Sequence, residues 1–325
     1  MGLDDRSDHR LMRELQFNGA VVAITGAAQG MGREYALLLA ARGARIVVND
    51  IKGAEATMAL VRSASGEAIE NRADIADPAQ TDTLVAEAVA RWGRIDAVIN
   101  NAAIYGGTLP DPETTTRVLG VHLIGMLNLV RSALPVFREQ RYGRIVNVGS
   151  GSLFGLPGTG IYAAAKGGVF GFTRSLAAEL AQDGACDIKA NLILPAAFQP
   201  GVLNVSDPEL QRAIDAFTPA SIAPLVALLV HQSCPAQGEA IQVGGGRHAR
   251  VMLTTTEGWQ SPGIMPSPEH ILAHWEEVMA GRDQREPAGS MSDLMARRGL
   301  PNYSVMELLE WTRSGKDPRA EYGPS

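Results

Sequence analysis

Short apolar runs alternate with longer amphipathic segments over the first three quarters of the chain. The runs are rich in Val and Ile and almost uninterrupted in apolarity, which is typical of strands covered on both faces of a parallel sheet. They are AVVAIT (20–25), ARIVVN (44–49), IDAVIN (95–100), RIVNV (144–148), IKANLIL (188–194) and a short last strand in IQVGGG near residue 243.

Helical patterns lie between these runs. REYALLLAARG ends on Gly43, a residue suited to a helix C-terminus. DPAQTDTLVAEAVARWG offers Asp77 as N-cap, Pro78 as first helical residue and Gly93 as the stop. This alternation of strands and helices predicts parallel βαβ units, and hence an α/β fold with a doubly wound sheet.

The pattern changes after about residue 250. TTTEGWQSPGIMPSPEH is rich in Pro, Ser and Thr and predicts a loop, after which Ser267 and Pro268 open a helix over PEHILAHWEEVMAG. A second amphipathic helix is expected near YSVMELLEWTR. We therefore expect an N-terminal tail (1–16), one core domain (17–250) and a C-terminal extension (251–325) that packs on the core or on a partner subunit.

Composition narrows the class of protein. Hydrophobic residues form 46% of the 325 residues, and 29 basic residues face 35 acidic ones without a dense basic stretch, which argues against nucleic acid. No apolar run reaches membrane-spanning length, and the N-terminal tail has no apolar signal core. Cys186 and Cys234 suggest neither a disulfide framework nor a metal cluster. We expect a soluble cytoplasmic protein that binds neither nucleic acid nor membrane.

A glycine-rich segment, TGAAQGMG, separates the first strand from the first helix. Gly26, Gly30 and Gly32 let the backbone turn sharply and approach a ligand, and the helix N-terminus presents N–H groups that suit a pyrophosphate. Asp50 closes the second strand, where a carboxylate can accept both ribose hydroxyls and repel a 2′-phosphate. The loop holds Gln29 and no Arg or Lys, so the pattern predicts NAD. The alternative is an ordinary tight turn followed by a capping acid.

The segment YAAAK places Tyr162 and Lys166 four residues apart, on one face of a helix. An ammonium beside a phenol favours the phenolate, so we expect Lys166 to lower the pKa of Tyr162. Tyr162 can then exchange a proton with an alcohol while a hydride moves to or from a nicotinamide, and a nearby serine can orient the oxygen. The same spacing also occurs on ordinary helix surfaces, so its weight comes from the glycine segment before it.

Four motifs together, TGAAQGMG, NNAA (100–103), NVGS (147–150) and YAAAK, resemble the short-chain dehydrogenase/reductase family over roughly residues 17–250. The resemblance implies a Rossmann-like, NAD-binding catalytic domain in which Ser150, Tyr162 and Lys166 form the catalytic set. Asp74, expected after the third strand, would hold the adenine edge or act only as a loop acid. The cofactor contacts implied in this way are Gly26, Gln29, Gly30, Met31, Gly32, Asp50, Ile51, Asp74, Ile75, Asn101, Ala102, Tyr162, Lys166 and Pro195.

A narrower resemblance concerns the substrate. VVNDIKG, VHLIG, RYGRIVN, PLVALLVHQSC and SPEHILAHWEEV are similar to the dehydrogenase part of peroxisomal multifunctional enzymes. That family acts on (3R)-hydroxyacyl-CoA thioesters and, in some members, on 17β-hydroxysteroids, which implies a hydrophobic secondary alcohol or ketone. The segment after Pro195 fits an apolar lid or a packing helix. Its apolar residues are Phe198, Val202, Leu203, Leu210, Ile214 and Phe217.

Two departures from the family pattern affect the predicted site. His122 stands where the family usually has an asparagine that holds a water in a proton relay, so His122 either serves that relay or makes one structural hydrogen bond. The serine-to-tyrosine spacing is one residue short; counting from the strand end selects Ser150, with Ser152 in reserve. A second hypothesis is therefore an NAD(H)-binding homologue without turnover, acting as a sensor or assembly subunit. Epimerase or dehydratase chemistry usually needs a second acid/base, and the sequence offers no convincing candidate.

The helix that carries the Tyr-Lys pair also predicts assembly. GGVFGFTRSLAAELA combines small and apolar residues that allow close packing of two helices. Members of the family commonly associate through this helix, so we expect a homodimer or a homotetramer.

Overall fold

The computed structural model describes residues 14–198, 205–261 and 265–286, together with residues 309, 311, 313 and 314. The chain divides into two compact units, Met1–Val251 and Met252–Ser325. The roles given to these parts of the chain stay predictions. The expected lid residues Val202 and Leu203, and most of the helix expected near YSVMELLEWTR, lie outside the described residues.

A single eight-stranded sheet forms the centre of the first unit, in the order β3-β2-β1-β4-β5-β6-β7-β8. Neighbouring strands are parallel except for β7 and β8, which form an antiparallel pair. The predicted Rossmann-like, doubly wound α/β fold is confirmed. The strands are β1 (Val21–Thr25), β2 (Arg45–Asn49), β3 (Glu67–Asn71), β4 (Ala97–Asn100), β5 (Tyr142–Val148), β6 (Asp187–Pro195), β7 (Ala240–Gly244) and β8 (Arg247–Val251).

Helices cover both faces of this sheet. Tyr35 and Leu39 belong to the buried cluster on one face, while Leu84, Leu129 and Phe170 belong to the cluster on the other. The helices of the first unit are α1 (Gly30–Ala41), α2 (Glu55–Ser63), α3 (Pro78–Trp92), α4 (Pro112–Leu119), α5 (Gly125–Gln140), α6 (Gly160–Gln182), α7 (Pro208–Asp215) and α8 (Ala223–Val230).

The predicted ends of α3 are confirmed. The Asp77 carboxylate accepts hydrogen bonds from the backbone N–H groups of Ala79 and Gln80, and Pro78 is the first helical residue. Gly93 stops the helix in the left-handed conformation, with φ of 76°. Local capping signals in the sequence were therefore enough to predict where α3 begins and ends.

The two edge strands, β3 and β8, have no apolar run in the sequence. The side chains of β3 are mostly half-exposed, and those of β8 are exposed except at Ala249 and Val251. An edge strand has a neighbour on one side only, so continuous apolarity is not required there. Gly245 and Gly246, both with positive φ, form the turn between β7 and β8.

A π-helical turn, Gly120–Ile124, joins α4 to α5. Within the described residues, the combined helix Pro112–Gln140 is long and apolar enough to cross a membrane by length and composition alone. It contains charged residues and packs in the core through Met126, Leu129 and Phe137, as a core helix does. A π-helical turn often marks a functional position, and this one carries His122.

The second unit contains two short helices in its described part, α9 (Pro268–Ala273) and α10 (Trp275–Val278). Ser267 caps α9 as predicted, since its hydroxyl accepts from the backbone N–H of His270. The prediction of one helix over 268–281 is wrong. At His274 the ring nitrogen Nδ1 lies 2.8 Å from the His270 carbonyl, and the ring stacks on Trp259 at 4.3 Å. The helix breaks at His274, where the ring competes with the backbone N–H for the His270 carbonyl.

Candidate active site

The predicted site residues gather at the carboxyl ends of β1, β2, β4 and β5. Thr25, Asn49, Asn100 and Val148 are the last residues of these parallel strands. Such ends share one edge of the sheet, where ligands of doubly wound proteins bind. The motifs separated by more than 130 positions in the sequence thus become neighbours.

The glycine segment has the geometry that the sequence predicts. Gly26 and Gly30 have positive φ, of 64° and 57°. A Cβ on Gly26 would lie 2.7 Å from the Ala102 Cα, and one on Gly32 would lie 2.4 Å from the Gly26 carbonyl. The side chain of Gln29 does not cap α1, so the first-turn N–H groups of this helix are left to a ligand.

Thr25 and Asn101 hold this loop against the end of β4. The Asn101 side-chain amide donates to the carbonyls of Thr25 and Gly26, at 2.9 and 3.1 Å. The Thr25 hydroxyl accepts from the backbone N–H groups of Asn101 and Ala102, each at 3.0 Å. The sequence predicts Asn101 as a cofactor contact but not Thr25. The position of Thr25 directly before Gly26 is the signal that could have indicated it.

Asp50 lies at the end of β2 beside a cleft of about 220 Å³. Its carboxylate accepts from the backbone N–H groups of Ala28 and Lys52, at 3.2 and 3.1 Å. The cleft is lined by seven of the predicted cofactor residues, namely Gly26, Gln29, Asp50, Ile51, Asp74, Ile75 and Ala102. Met31 lies in the first turn of α1, and Pro195 is the last residue of β6.

A larger groove, of about 600 Å³, lies at the opposite edge of the sheet. Arg45 and Arg94 line it, but both are already paired, with Glu67 at 3.0 Å and with Asp96 at 2.6 Å. The groove contains none of the predicted site residues. The smaller cleft, which seven of the predicted cofactor residues line, is therefore the candidate nucleotide site.

Tyr162 and Lys166 lie one turn apart on α6. The Lys166 ammonium is buried, donates to the Val148 carbonyl at 2.5 Å and lies 5.7 Å from the centre of the Tyr162 ring. Burial lowers the pKa of Lys166 to about 7.

Burial also raises the pKa of Tyr162, while a hydrogen bond with Ser150 opposes the rise and Tyr105 adds to it. The expected lowering of the Tyr162 pKa by Lys166 is therefore wrong for this structure. The reason is geometric, because the Lys166 ammonium bonds the Val148 carbonyl rather than the phenol. Desolvation decides the sign for both groups.

Of the two serine candidates, Ser150 is the one that interacts with Tyr162. Its hydroxyl also accepts from the backbone N–H of Ser152, at 3.1 Å, and so caps the short helical turn Gly151–Phe154. The Ser152 hydroxyl is buried and has no hydrogen-bond partner among the described residues. The geometry favours Ser150, although its catalytic role stays a prediction.

His122 is buried in the π-helical turn with its ring edge-on to Tyr162 at 4.9 Å. Its Nε2 lies 2.7 Å from the Ile104 carbonyl oxygen and 3.1 Å from the Ile104 nitrogen. The shorter contact assigns the proton to Nε2, which leaves Nδ1 as an acceptor, buried and without a partner among the described residues. Burial and the nearby Lys166 lower the pKa of His122 to about 4, so the ring is neutral near pH 7.

A small cavity of about 10 Å³ lies among Thr25, Asn100, His122 and Lys166. The side-chain oxygen Oδ1 of Asn100, like His122 Nδ1, is buried without a partner in the described part of the chain. A cavity of this size with several polar partners holds about one water molecule.

Asn147 supports the Asn100 side chain next to this cavity. The Asn100 amide donates to the Asn147 side-chain oxygen at 2.8 Å, and the Asn147 amide donates to Thr173 at 2.9 Å. The sequence predicts no role for Asn147, because its partners lie on other elements, β4 and α6.

The comparisons with known proteins agree with this arrangement. The sequence model of the short chain dehydrogenase family matches residues 20–210, and the chain belongs to that family. A short-chain type dehydrogenase/reductase of Mycobacterium tuberculosis is 36% identical over 275 residues, which cover 79% of this chain and 93% of the relative. The family resemblance predicted from the motifs is confirmed.

The narrower resemblance is also confirmed. Peroxisomal multifunctional enzyme type 2 of Drosophila melanogaster is 32% identical over 323 residues, which cover 93% of this chain and 51% of that protein. Its full-length structure matches with a TM-score of 0.73 and 28% identity, over 94% of this chain and 51% of that one. The chain thus spans about half the length of that multifunctional relative.

A third comparison bears on the cofactor. The crystal structure of NAD⁺-bound xylitol dehydrogenase matches with a TM-score of 0.62 and 27% identity, over 71% of this chain and 99% of that one. Family membership makes the chain an oxidoreductase of a type that typically binds NAD or NADP. The glycine loop that side chains would fill, the uncapped N-terminus of α1 and the fixed Asp50 carboxylate fit such a dinucleotide.

Proposed function

We propose that this protein interconverts a secondary alcohol and a ketone with NAD as the hydride carrier. The observation that carries the proposal is the placement of Tyr162 and Ser150 at the same sheet edge as the glycine loop and Asp50. When bound, the nicotinamide of NAD accepts a hydride from an alcohol carbon or returns it to a ketone carbon.

Tyr162 moves the proton in this reaction. Its raised pKa keeps the phenol protonated, so in the direction of ketone reduction it donates its proton to the substrate oxygen as the carbon gains a hydride. In the reverse direction, the oxidation of the alcohol, the Tyr162 phenolate takes the proton back from the substrate oxygen. The Ser150 hydroxyl orients the same oxygen by a hydrogen bond.

The preference for NAD over NADP rests on the charges around the adenosine ribose. Two backbone N–H groups fix the Asp50 carboxylate, which accepts ribose hydroxyls and repels a 2′-phosphate. Arg33, the first basic residue after the glycine loop, donates to the Ala28 carbonyl at 2.5 Å and to Thr57 at 3.0 Å. Lys52 and Arg117 line the cleft but are exposed to solvent.

We assign His122 a part in positioning Lys166 through a water molecule in the small cavity. The water accepts a hydrogen bond from the Lys166 ammonium and donates to His122 Nδ1 and the Asn100 oxygen, which satisfies all three groups. In this proposal His122 takes the place of the asparagine that the family usually has and also makes a structural hydrogen bond. Its Nε2 makes the structural bond to Ile104 while Nδ1 serves the site.

The substrate class proposed is a hydrophobic secondary alcohol, such as a 3-hydroxyacyl-CoA or a hydroxysteroid. The relatives named peroxisomal hydratase-dehydrogenase-epimerase and peroxisomal multifunctional enzyme support it. Phe198 and Phe217 pair at 6.1 Å, and the Phe198 N–H donates to the Phe217 carbonyl, which joins the two ends of the apolar segment after Pro195. Cytoplasmic location and homo-oligomeric assembly belong to the same proposal.

The test is nicotinamide absorbance with purified protein, NAD or NADP, and a panel of hydroxyacyl-CoA thioesters, hydroxysteroids and simpler secondary alcohols. We expect turnover with NAD that falls at least about a hundredfold in Tyr162→Phe, since general acid–base catalysis contributes at least that much. Ser150→Ala should fall by a similar factor, and His122→Leu by about tenfold with unchanged NAD affinity. Equal turnover in wild type and Tyr162→Phe would refute the mechanism.

The alternative function is an NAD(H)-binding protein without turnover. The shifted serine spacing and His122 motivated it, but Ser150 interacts with Tyr162 despite that spacing. NAD binding by calorimetry without turnover of any panel member would favour this alternative.

A further inference from the structure

Tyr105 is an exposed aromatic side chain directly beside the proposed catalytic phenol. Its ring lies nearly parallel to the Tyr162 ring, with centroids 6.2 Å apart and planes inclined by 21°. It is 80% exposed, although Tyr162 itself is only partly accessible. A large aromatic surface held open next to a reacting group suits contact with a ligand.

The backbone on both sides of Tyr105 is fixed. The Nε2–H of His122 donates to the carbonyl of Ile104, the residue before it, at 2.7 Å. Gly106, the residue after it, is so close to α4 that a Cβ there would lie 2.7 Å from the Val118 side chain. Tyr105 is thus an exposed ring on a rigid support.

The same loop is packed tightly a little further along. A Cβ on Gly160, at the start of α6, would lie 2.6 Å from the Thr108 carbonyl oxygen. Contacts on α4, the π-helical turn and α6 therefore hold the segment that carries Tyr105. A ring fixed in this way loses little conformational entropy when a ligand packs on it.

We infer that Tyr105 determines substrate specificity, by giving the site an aromatic face that favours ketones and alcohols bearing a flat ring over those with an unbranched chain. The inference rests on the proposed function and narrows it. Because the Tyr105 ring lies 6.2 Å from the Tyr162 ring, a substrate whose oxygen meets the Tyr162 hydroxyl can stack a flat ring near its reacting carbon on Tyr105. A flexible alkyl chain cannot make the same contact without losing its rotational freedom.

Exposed apolar side chains also precede Tyr162 in the sequence, and they suit an apolar substituent on the substrate. Phe154 and Leu156, between Ser150 and Tyr162, are large, apolar and exposed, at 59% and 58%. The segment directly before Tyr162, residues 150–161, thus holds no charged side chain and presents apolar surface. Such a wall favours an uncharged ring next to the reacting carbon.

The experiment compares two methyl ketones with equal numbers of carbon atoms, benzylacetone and methyl octyl ketone. Steady-state reduction by NADH is measured for wild type, Tyr105→Phe, Tyr105→Leu and the control Leu109→Ala, an exposed apolar change on the same loop. We expect Tyr105→Leu to raise KM for benzylacetone about five- to tenfold, with kcat and the methyl octyl ketone values changed less than about twofold. Tyr105→Phe and Leu109→Ala should retain wild-type values.

Binding is measured separately, so that the result does not depend on turnover. Saturation-transfer NMR on the NAD complex reports contact between benzylacetone and the protein. Transfer in wild type and Tyr105→Phe that is lost in Tyr105→Leu supports the inference even if no ketone of the pair is reduced, in which case only the proposed activity on these ketones fails. Equal transfer in all variants, none in wild type, or an equal rise in KM for both ketones overturns it.

Discussion

A buried ammonium group is unfavourable unless its surroundings replace the lost hydration, and Lys166 carries this cost at the centre of the site. Lys166→Met should abolish turnover yet stabilise the fold by about 1–3 kcal/mol at about pH 6. The folded pKa of about 7 lies below the ordinary 10.5, so the unfolded chain binds more protons between these values. Wild-type stability therefore rises with pH across that window, and the gain from methionine should shrink at about pH 9. Urea denaturation at both pH values measures this.

The matched control is Lys189→Met. Lys189 also donates to a backbone carbonyl, that of Cys234 at 2.6 Å, but it is only half-buried. Its replacement should change the free energy of unfolding by less than about 1 kcal/mol. A pH-independent effect of Lys166→Met would contradict the argument.

Single residues differ in how far the sequence reveals them. Tyr162 and Lys166 could be predicted because their spacing lies within one helix. Asn147 could not, because its partner Asn100 lies opposite it only through the register of β4 on β5. Tyr105 also carries no local signal, since its support comes from His122, 17 positions further along.

At the scale of elements, the glycine loop between β1 and α1 has no room for a side chain at Gly26. Gly26→Ala places a side chain at a left-handed φ of 64° and 2.7 Å from the Ala102 Cα. We expect a loss of about 2–4 kcal/mol in the free energy of unfolding, because backbone atoms of Ala102 must move. NAD affinity should fall as well. Chemical denaturation and calorimetry measure the two effects.

Gly93→Ala separates the two causes. Gly93 has a similar φ of 76°, but a Cβ there would have no atom within 4 Å in the part of the chain that the structure describes. It should cost only the left-handed strain, about 1 kcal/mol. Equal losses at the two glycines would mean that the contact with Ala102 contributes nothing.

Elements whose signals are local could be predicted. The interior strands appear as apolar runs and α3 as a capped helix, whereas the edge strands β3 and β8 do not, since one side of each lacks a strand neighbour. The break at His274 depends on Trp259, which lies outside the helix. Tertiary contacts thus explain each difference.

The whole molecule exposes a stripe of small residues along α6. The stripe consists of Ala164, Gly167, Gly171, Ser175 and Ala178, spaced three or four positions apart and all exposed. Small residues at this spacing permit close approach of a second helix. The predicted homodimer or homotetramer would cover this stripe.

Gly171→Arg tests that assembly. A Cβ on Gly171 meets no atom of the described residues within 4 Å, and arginine favours helix more than glycine does by about 1 kcal/mol, so the fold should be retained. At a helix–helix contact, however, the long charged side chain would prevent approach. Light scattering after size-exclusion chromatography should give a dimer or tetramer for wild type and a monomer for Gly171→Arg. Gly184→Arg, an equally open glycine beyond the end of α6, should assemble like wild type. A monomeric wild type would refute the assembly. An assembled Gly171→Arg would show that the interface lies away from α6, so that no partner subunit constrains the helix that carries Tyr162 and Lys166.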